Sequence, residues 1–161
     1  MNHEYFMAQA IQQAKLAEEK NEVPVGAVVV SDGKIIGKGH NLSITAHDPS
    51  AHAEMLAIRA AGKELSNYRL VDATLYVTLE PCPMCAGLLV HSRIKTLVFG
   101  ASDLKTGACG SIMDLTNHAL LNHNISVIGG VLGETCSALV SDFFARRRAE
   151  KKAFKNRNTE L

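Results

Sequence analysis

A chain of 161 residues with 47% apolar and 20% charged side chains, a mass of 17.3 kDa and a mean hydropathy of +0.03 has the composition of one soluble globular domain. Such a domain buries roughly two-thirds of its unfolded surface without needing disulfides, and disorder, collagen-like repeats and a membrane helix of roughly 20 apolar residues are excluded. The net charge of +1 is uneven: Arg146, Arg147, Arg148, Lys151, Lys152, Lys155 and Arg157 against Glu150 give the tail +6, while ten bases and fifteen acids leave the rest at −5, a pattern that fits either a polyanionic partner or a solvated helix face.

The first segment, about 2–20, reads as a helix. Phe6, Ala10, Ala14 and Ala17 form one apolar stripe, flanked by Met7 and Ile11, and Gln9, Gln12, Gln13, Lys15 and Glu18 face out. The apolar run 26–30 is a buried strand. Asp32-Gly33 makes a tight turn, and 35–41 returns as the second arm of a hairpin. Asp48-Pro49-Ser50 announces a helix over about 51–61, ended by Gly62. A strand over 73–79, a helix opening at Glu80-Pro81-Cys82-Pro83 and a strand over 95–100 form a right-handed parallel crossover. A loop over 102–111, a short apolar helical stretch, a strand near 126–128 and a long helix from about Glu134 complete the chain. The expected architecture is a single α/β domain, 1–161, with a hairpin at one edge of a mostly parallel sheet. Met1-Asn2-His3-Glu4-Tyr5 has no basic n-region and no apolar stretch behind it, so no signal peptide is read and a cytoplasmic address is expected.

Two motifs carry chemistry: His52-Ala53-Glu54 and Pro81-Cys82-Pro83-Met84-Cys85, each at the start of an expected helix. An imidazole and two thiolates suit a tetrahedral zinc, and three protein donors leave the open position of a catalytic site. Two thiolates blunt the metal's Lewis acidity, but two helix N-termini aimed at it offset this. Glu54 is then the base that deprotonates metal-bound water. Taken alone, the cysteine pair also reads as a redox dithiol or half a structural knuckle; neither uses the His-x-Glu upstream. Cys109 and Cys136 have no ligand spacing and are expected to be packed thiols, and the other histidines (His3, His40, His47, His91, His118 and His123) receive no metal role.

His-x-Glu followed by Pro-Cys-x-x-Cys is the zinc deaminase signature. Beyond it, the run 47–54, the run from Asn67 through Leu79 into Glu80-Pro81-Cys82-Pro83-Met84-Cys85-Ala86-Gly87, the loop Lys105-Thr106-Gly107-Ala108 and Ser141-Asp142-Phe143-Phe144 resemble the bacterial tRNA adenosine deaminases of the cytidine/deoxycytidylate deaminase superfamily. The likeness spans roughly Tyr5 to Lys152 and implies a three-layer α/β/α domain on a five-stranded mixed sheet. It implies hydrolysis of the wobble adenosine of a tRNA anticodon to inosine, with release of ammonia, in a homodimer. One Zn2+ per subunit is implied on His52, Cys82 and Cys85, with Glu54 moving protons from water to the ring nitrogen and the leaving ammonia. The Ala53 amide and Asn41 would meet the base edge and Val25 its face. Asp103, Lys105, Phe144, Arg147 and Arg148 would hold the splayed anticodon loop, Phe143 being core and Phe144 lining the pocket. No membrane and no nucleotide cofactor is implied. The zinc core alone leaves a deaminase of free cytosine, cytidine or guanine open, and more distantly a non-enzymatic zinc or dithiol module.

Overall fold

The computed structural model describes residues 2–159; Met1, Glu160 and Leu161 lie outside it. Helix α1 (His3–Glu19) is capped by Asn2, whose side chain accepts from the Tyr5 amide, and buries the stripe Phe6, Ala10, Ala14 and Ala17 together with the flanking Met7 and Ile11. Strands β1 (Gly26–Ser31) and β2 (Lys34–His40) form the hairpin, turning through Asp32 and Gly33 with φ of 51° and 72°. Helix α2 (Ala53–Leu65), strand β3 (Thr74–Leu79), helix α3 (Pro83–His91), strand β4 (Thr96–Ala101), strand β5 (Ser126–Ile128) and helix α4 (Gly133–Thr159) follow.

The strands form one sheet in the order β2-β1-β3-β4-β5. β1 is antiparallel to both β2 and β3, while β3, β4 and β5 run parallel. Alternation along the central strands splits the core in two. Ala27, Val29, Leu75, Val77, Leu97 and Phe99 face α2 and α3; Val28, Val30, Tyr76 and Val98 face α1 and the start of α4. The result is the three-layer α/β/α arrangement. Helix α2 lies almost directly on β2, because Gly37 and Gly39 carry no side chain: a Cβ at either would run into the α2 backbone at Ala57 and Ala61 or at Ala53 and Ala57.

Two expectations are corrected. Helix α2 starts at Ala53 with His52 as N-cap, and it runs through Gly62 to Leu65, where Ser66 takes the left-handed conformation (φ 49°). Gly62 is tolerated mid-helix at modest cost, and Pro49 belongs to the preceding loop, which Asp48 closes on Ser50. After Ser111 there is no helix before β5. Asp114 turns that segment by accepting from the Thr116 amide at 2.9 Å, a local side-chain bond that competes with helix formation. Among the described residues no helix is long and apolar enough to cross a membrane.

Candidate active site

The fold brings the two motifs together. His52 is the N-cap of α2 and Cys82 the N-cap of α3, with Pro83 at the first helical position, and neither N-cap side chain caps its own helix. Both side chains turn away from their helices to meet one another. His52 Nδ1 lies 3.6 Å from Cys82 Sγ and 3.6 Å from Cys85 Sγ, and the three ligand atoms fall within 4.8 Å of each other. With Zn–N near 2.0 Å and Zn–S near 2.3 Å, a tetrahedral N···S edge is about 3.5–3.6 Å, so the donor set already has the spacing a zinc ion requires. Among the described residues only these three converge as such a group. The residues fit the ion.

Electrostatics favour the same use. Hydrogen bonds from Cys85 and His52 bring the Cys82 thiol down to about 4 against the opposing effect of burial. Cys85 moves up, since it donates to that thiolate, is buried and faces the Glu54 charge. The bond to Cys82 raises His52, burial opposing and Glu54 adding. Glu54 is 4% exposed, and burial pushes its carboxyl up to about 7, beyond what its own backbone bond and His52 recover. A carboxyl poised there can both take and give a proton near neutrality. Cys109 and Cys136 are buried thiols: burial pushes Cys109 well above the ordinary thiol range and Cys136 up to about 11; both are packed, as expected.

A cavity of about 210 Å³ opens over the cluster, lined by Val25, Asn41, His52, Glu54, Cys82 and Asp103 among others. Of the residues expected around a base, Val25 and Asn41 are therefore placed at the metal end. The Ala53 amide, expected against the base, instead donates to Asn41 Oδ1 at 2.8 Å. The first N–H of a helix has no acceptor within the helix, and Asn41 supplies one. Asp103 turns its loop by accepting from the Lys105 and Thr106 amides at 3.0 and 3.1 Å. Burial works to raise its carboxyl, but these bonds outweigh it and hold it low. Lys105 is exposed and does not line the cavity.

The α4 residues stand apart. Phe143 is buried at 5% and Phe144 is 44% exposed, so the pair splits as expected, but Phe144 does not line the cavity. α4 packs through Cys136 and Phe143, and the next residue along a helix points some 100° away. Arg147 pairs with Glu150 at 3.3 Å, Arg146 does so at 2.8 Å, and Arg148 is exposed.

Two buried carboxylates were missed by the sequence reading. Glu80, 2% exposed, lines the same cavity and binds the loop after β4. Glu22, 1% exposed, accepts from the Ile44 and Thr45 amides at 3.1 and 2.6 Å and holds the loop after β2. No local pattern marks either one, because their partners are 22 to 31 residues away.

A family described as MafB19-like deaminase matches residues 1–148. The tRNA-specific adenosine deaminase of Haemophilus influenzae is 55% identical over 150 residues, 92% of this chain and 87% of that protein. That of Bacillus subtilis is 51% identical over 157 residues, 98% of each chain. A solved structure from biochemical and structural studies of A-to-I editing by tRNA:A34 deaminases at the wobble position of transfer RNA superposes with a TM-score of 0.81 at 39% identity, covering 84% of this chain and 98% of the other. The His52–Cys82–Cys85 cluster beside Glu54 is in keeping with these likenesses, and the chain belongs to the tRNA-specific adenosine deaminase family.

Proposed function

We propose that this protein hydrolyses adenosine to inosine at the wobble position of tRNA anticodons, releasing ammonia, as a zinc enzyme. The observation that carries the reading is the His52–Cys82–Cys85 cluster beside the buried Glu54, set in a chain whose relatives bear that activity in their names.

His52 and the two cysteines would hold the ion. The chemistry it supplies when bound is Lewis acidity at an open position, which makes water acidic enough to ionise near neutral pH. Glu54 takes one proton from the water and delivers it to the ring nitrogen beside the carbon under attack; it then takes the second, from the hydroxyl now on that carbon, and delivers it to the amino group, which leaves as ammonia as the carbonyl forms. Its burial keeps bulk water from competing for that proton. Asn41, its acceptor end engaged by Ala53, offers the donor end of its amide to the base edge, and Val25 packs against the base. Asp103, Lys105, Phe144, Arg147 and Arg148 hold the anticodon loop, whose target base must leave its stack to reach a cavity recessed in the fold. The cavity's size, about 210 Å³, suits a single base and supports that extrusion. The resemblance supports a homodimer with one zinc per subunit, and a tRNA substrate supports a cytoplasmic address.

The test is incubation of the zinc-loaded protein with an anticodon stem-loop carrying adenosine at the wobble position, followed by nucleoside analysis. Inosine from the stem-loop, with free adenosine, cytidine and guanine untouched, is the expected result. Turnover of a free base or nucleoside with the stem-loop left intact overturns the reading in favour of a small-molecule deaminase.

A further inference from the structure

Glu80 closes β3 and stands two residues before the ligand Cys82. Its amide donates to the Ala101 carbonyl at 2.8 Å, the last rung between β3 and β4. Its side chain is 2% exposed, and no ion pair reaches it among the described residues. A buried carboxylate without a cation is costly unless its oxygens are fully bonded, and a single loop supplies everything this one needs. Oε1 accepts from the Asp103 amide at 3.1 Å and from the Ser111 hydroxyl. Oε2 accepts from the amides of Cys109 and Ser111 at 3.0 and 3.1 Å. The carboxylate lies so close to the loop backbone that a Cβ at position 107 would collide with it and with the Asp103 carbonyl, so Gly107 is the residue that lets the loop close.

The same loop carries Asp103 and Thr106, which form the wall of the cavity facing His52, Glu54 and Cys82. One side chain thus sets how far that wall stands from the metal-binding end, through four charge-assisted bonds spread over nine residues. We infer that Glu80 is a positioning residue for the substrate: its carboxylate holds loop 102–111 in the register that lets Asp103 and Thr106 meet the nucleotide entering the cavity. This rests on the stem-loop reading above.

A neutral isostere is the discriminating change. Glutamine fills the same volume, but its NH2 end must face donors that need an acceptor. For Glu80→Gln, hydrogen exchange at the amides of Asp103, Cys109 and Ser111 is expected to speed up at least tenfold, with the amides of Leu75 and Val98 in the central strands unchanged and one zinc retained per chain. On the stem-loop, KM is expected to rise about tenfold or more with kcat within about threefold. Gly107→Ala, which disturbs the same contact from the loop side, is expected to reproduce the KM effect, and the double variant to be no worse than either single one. A purely structural role would instead lower kcat with the active fraction and leave KM in place, which overturns the inference, as does an unchanged exchange rate at the three loop amides. Glu80→Asp, retaining charge, is expected to recover part of the KM loss. If the unsubstituted protein fails to deaminate the stem-loop, the tRNA reading falls on its own; stem-loop binding by the two variants then decides Glu80, weakened affinity with loosened loop amides supporting it and unchanged affinity overturning it.

Discussion

The side-chain oxygen of Asn41, one residue past β2, accepts the first amide of α2 from Ala53 at 2.8 Å, and that single bond sets both the helix start and the orientation of the Asn41 amide. A backbone N–H requires an oxygen, so the nitrogen end of Asn41 is the one turned to other duty. His52, one of the three residues proposed to hold the metal, precedes Ala53 and Glu54 follows it. The bond therefore ties the edge hairpin to the helix mouth that presents both.

Asn41→Asp separates the two roles. Aspartate keeps an acceptor for Ala53, and a negative charge at a helix N-terminus is favourable, but it has no donor for a base. The melting temperature is expected to stay within a few degrees while kcat/KM on the stem-loop drops about tenfold or more. Asn41→Ala is expected to lose both, including about 1 kcal/mol of stability. Retained kcat/KM in Asn41→Asp would reduce Asn41 to a cap.

Glu54→Gln is expected to bind zinc at one equivalent and lose about 10²–10⁴-fold in turnover, the range for a general acid-base group. Metal analysis beside inosine formation checks it. Loss of zinc together with activity would make Glu54 part of the metal shell instead.

The metal-free protein exposes the cost of burying that carboxyl. Burial pushes the Glu54 carboxyl from an ordinary 4.5 up to about 7, so between those pH values the folded state holds more protons and stability falls as pH rises. Above pH 7, metal-free Glu54→Gln is expected to be more stable than the unsubstituted chain by on the order of 1–3 kcal/mol. The gap should close below about pH 5. Thermal melts of both chains at acidic and mildly alkaline pH read this directly, and a pH-independent gap would contradict it.

Removing the metal also changes thiol chemistry. With Cys82 brought down to about 4, iodoacetamide at pH 6 is expected to label Cys82 first in the metal-free protein, where an ordinary thiol is less than about 1% ionised. Cys85, Cys109 and Cys136, all buried, should lag behind. Saturating zinc should abolish the labelling; peptide mapping before and after chelation shows both.

Replacing Arg147, Arg148 and Lys151 with alanine is expected to weaken stem-loop binding and to lower the slope of log K against log salt by up to about 2. Arg147 already pairs with Glu150, so Arg148 and Lys151 should account for most of the change. Unchanged affinity and slope would leave the tail of α4 a solvated face.

Sequence alone determined whatever is written in neighbouring residues. The α1 stripe, the Asp32-Gly33 hairpin, the β3–α3–β4 crossover and the two separate motifs His52-x-Glu54 and Cys82-x-x-Cys85 were all legible, because periodicity, turn chemistry and ligand spacing act over a few positions. Tertiary structure decided what depends on contacts between distant segments. Gly62 stays helical, and it is Ser66, four residues on, that takes the left-handed turn at the end of α2. Ala53 gives its amide to a residue in another element, and Phe144 faces outward because Phe143 packs inward. Glu80 looks like any acid before a proline until the loop after β4 folds onto it and brings the donors that make its burial tolerable.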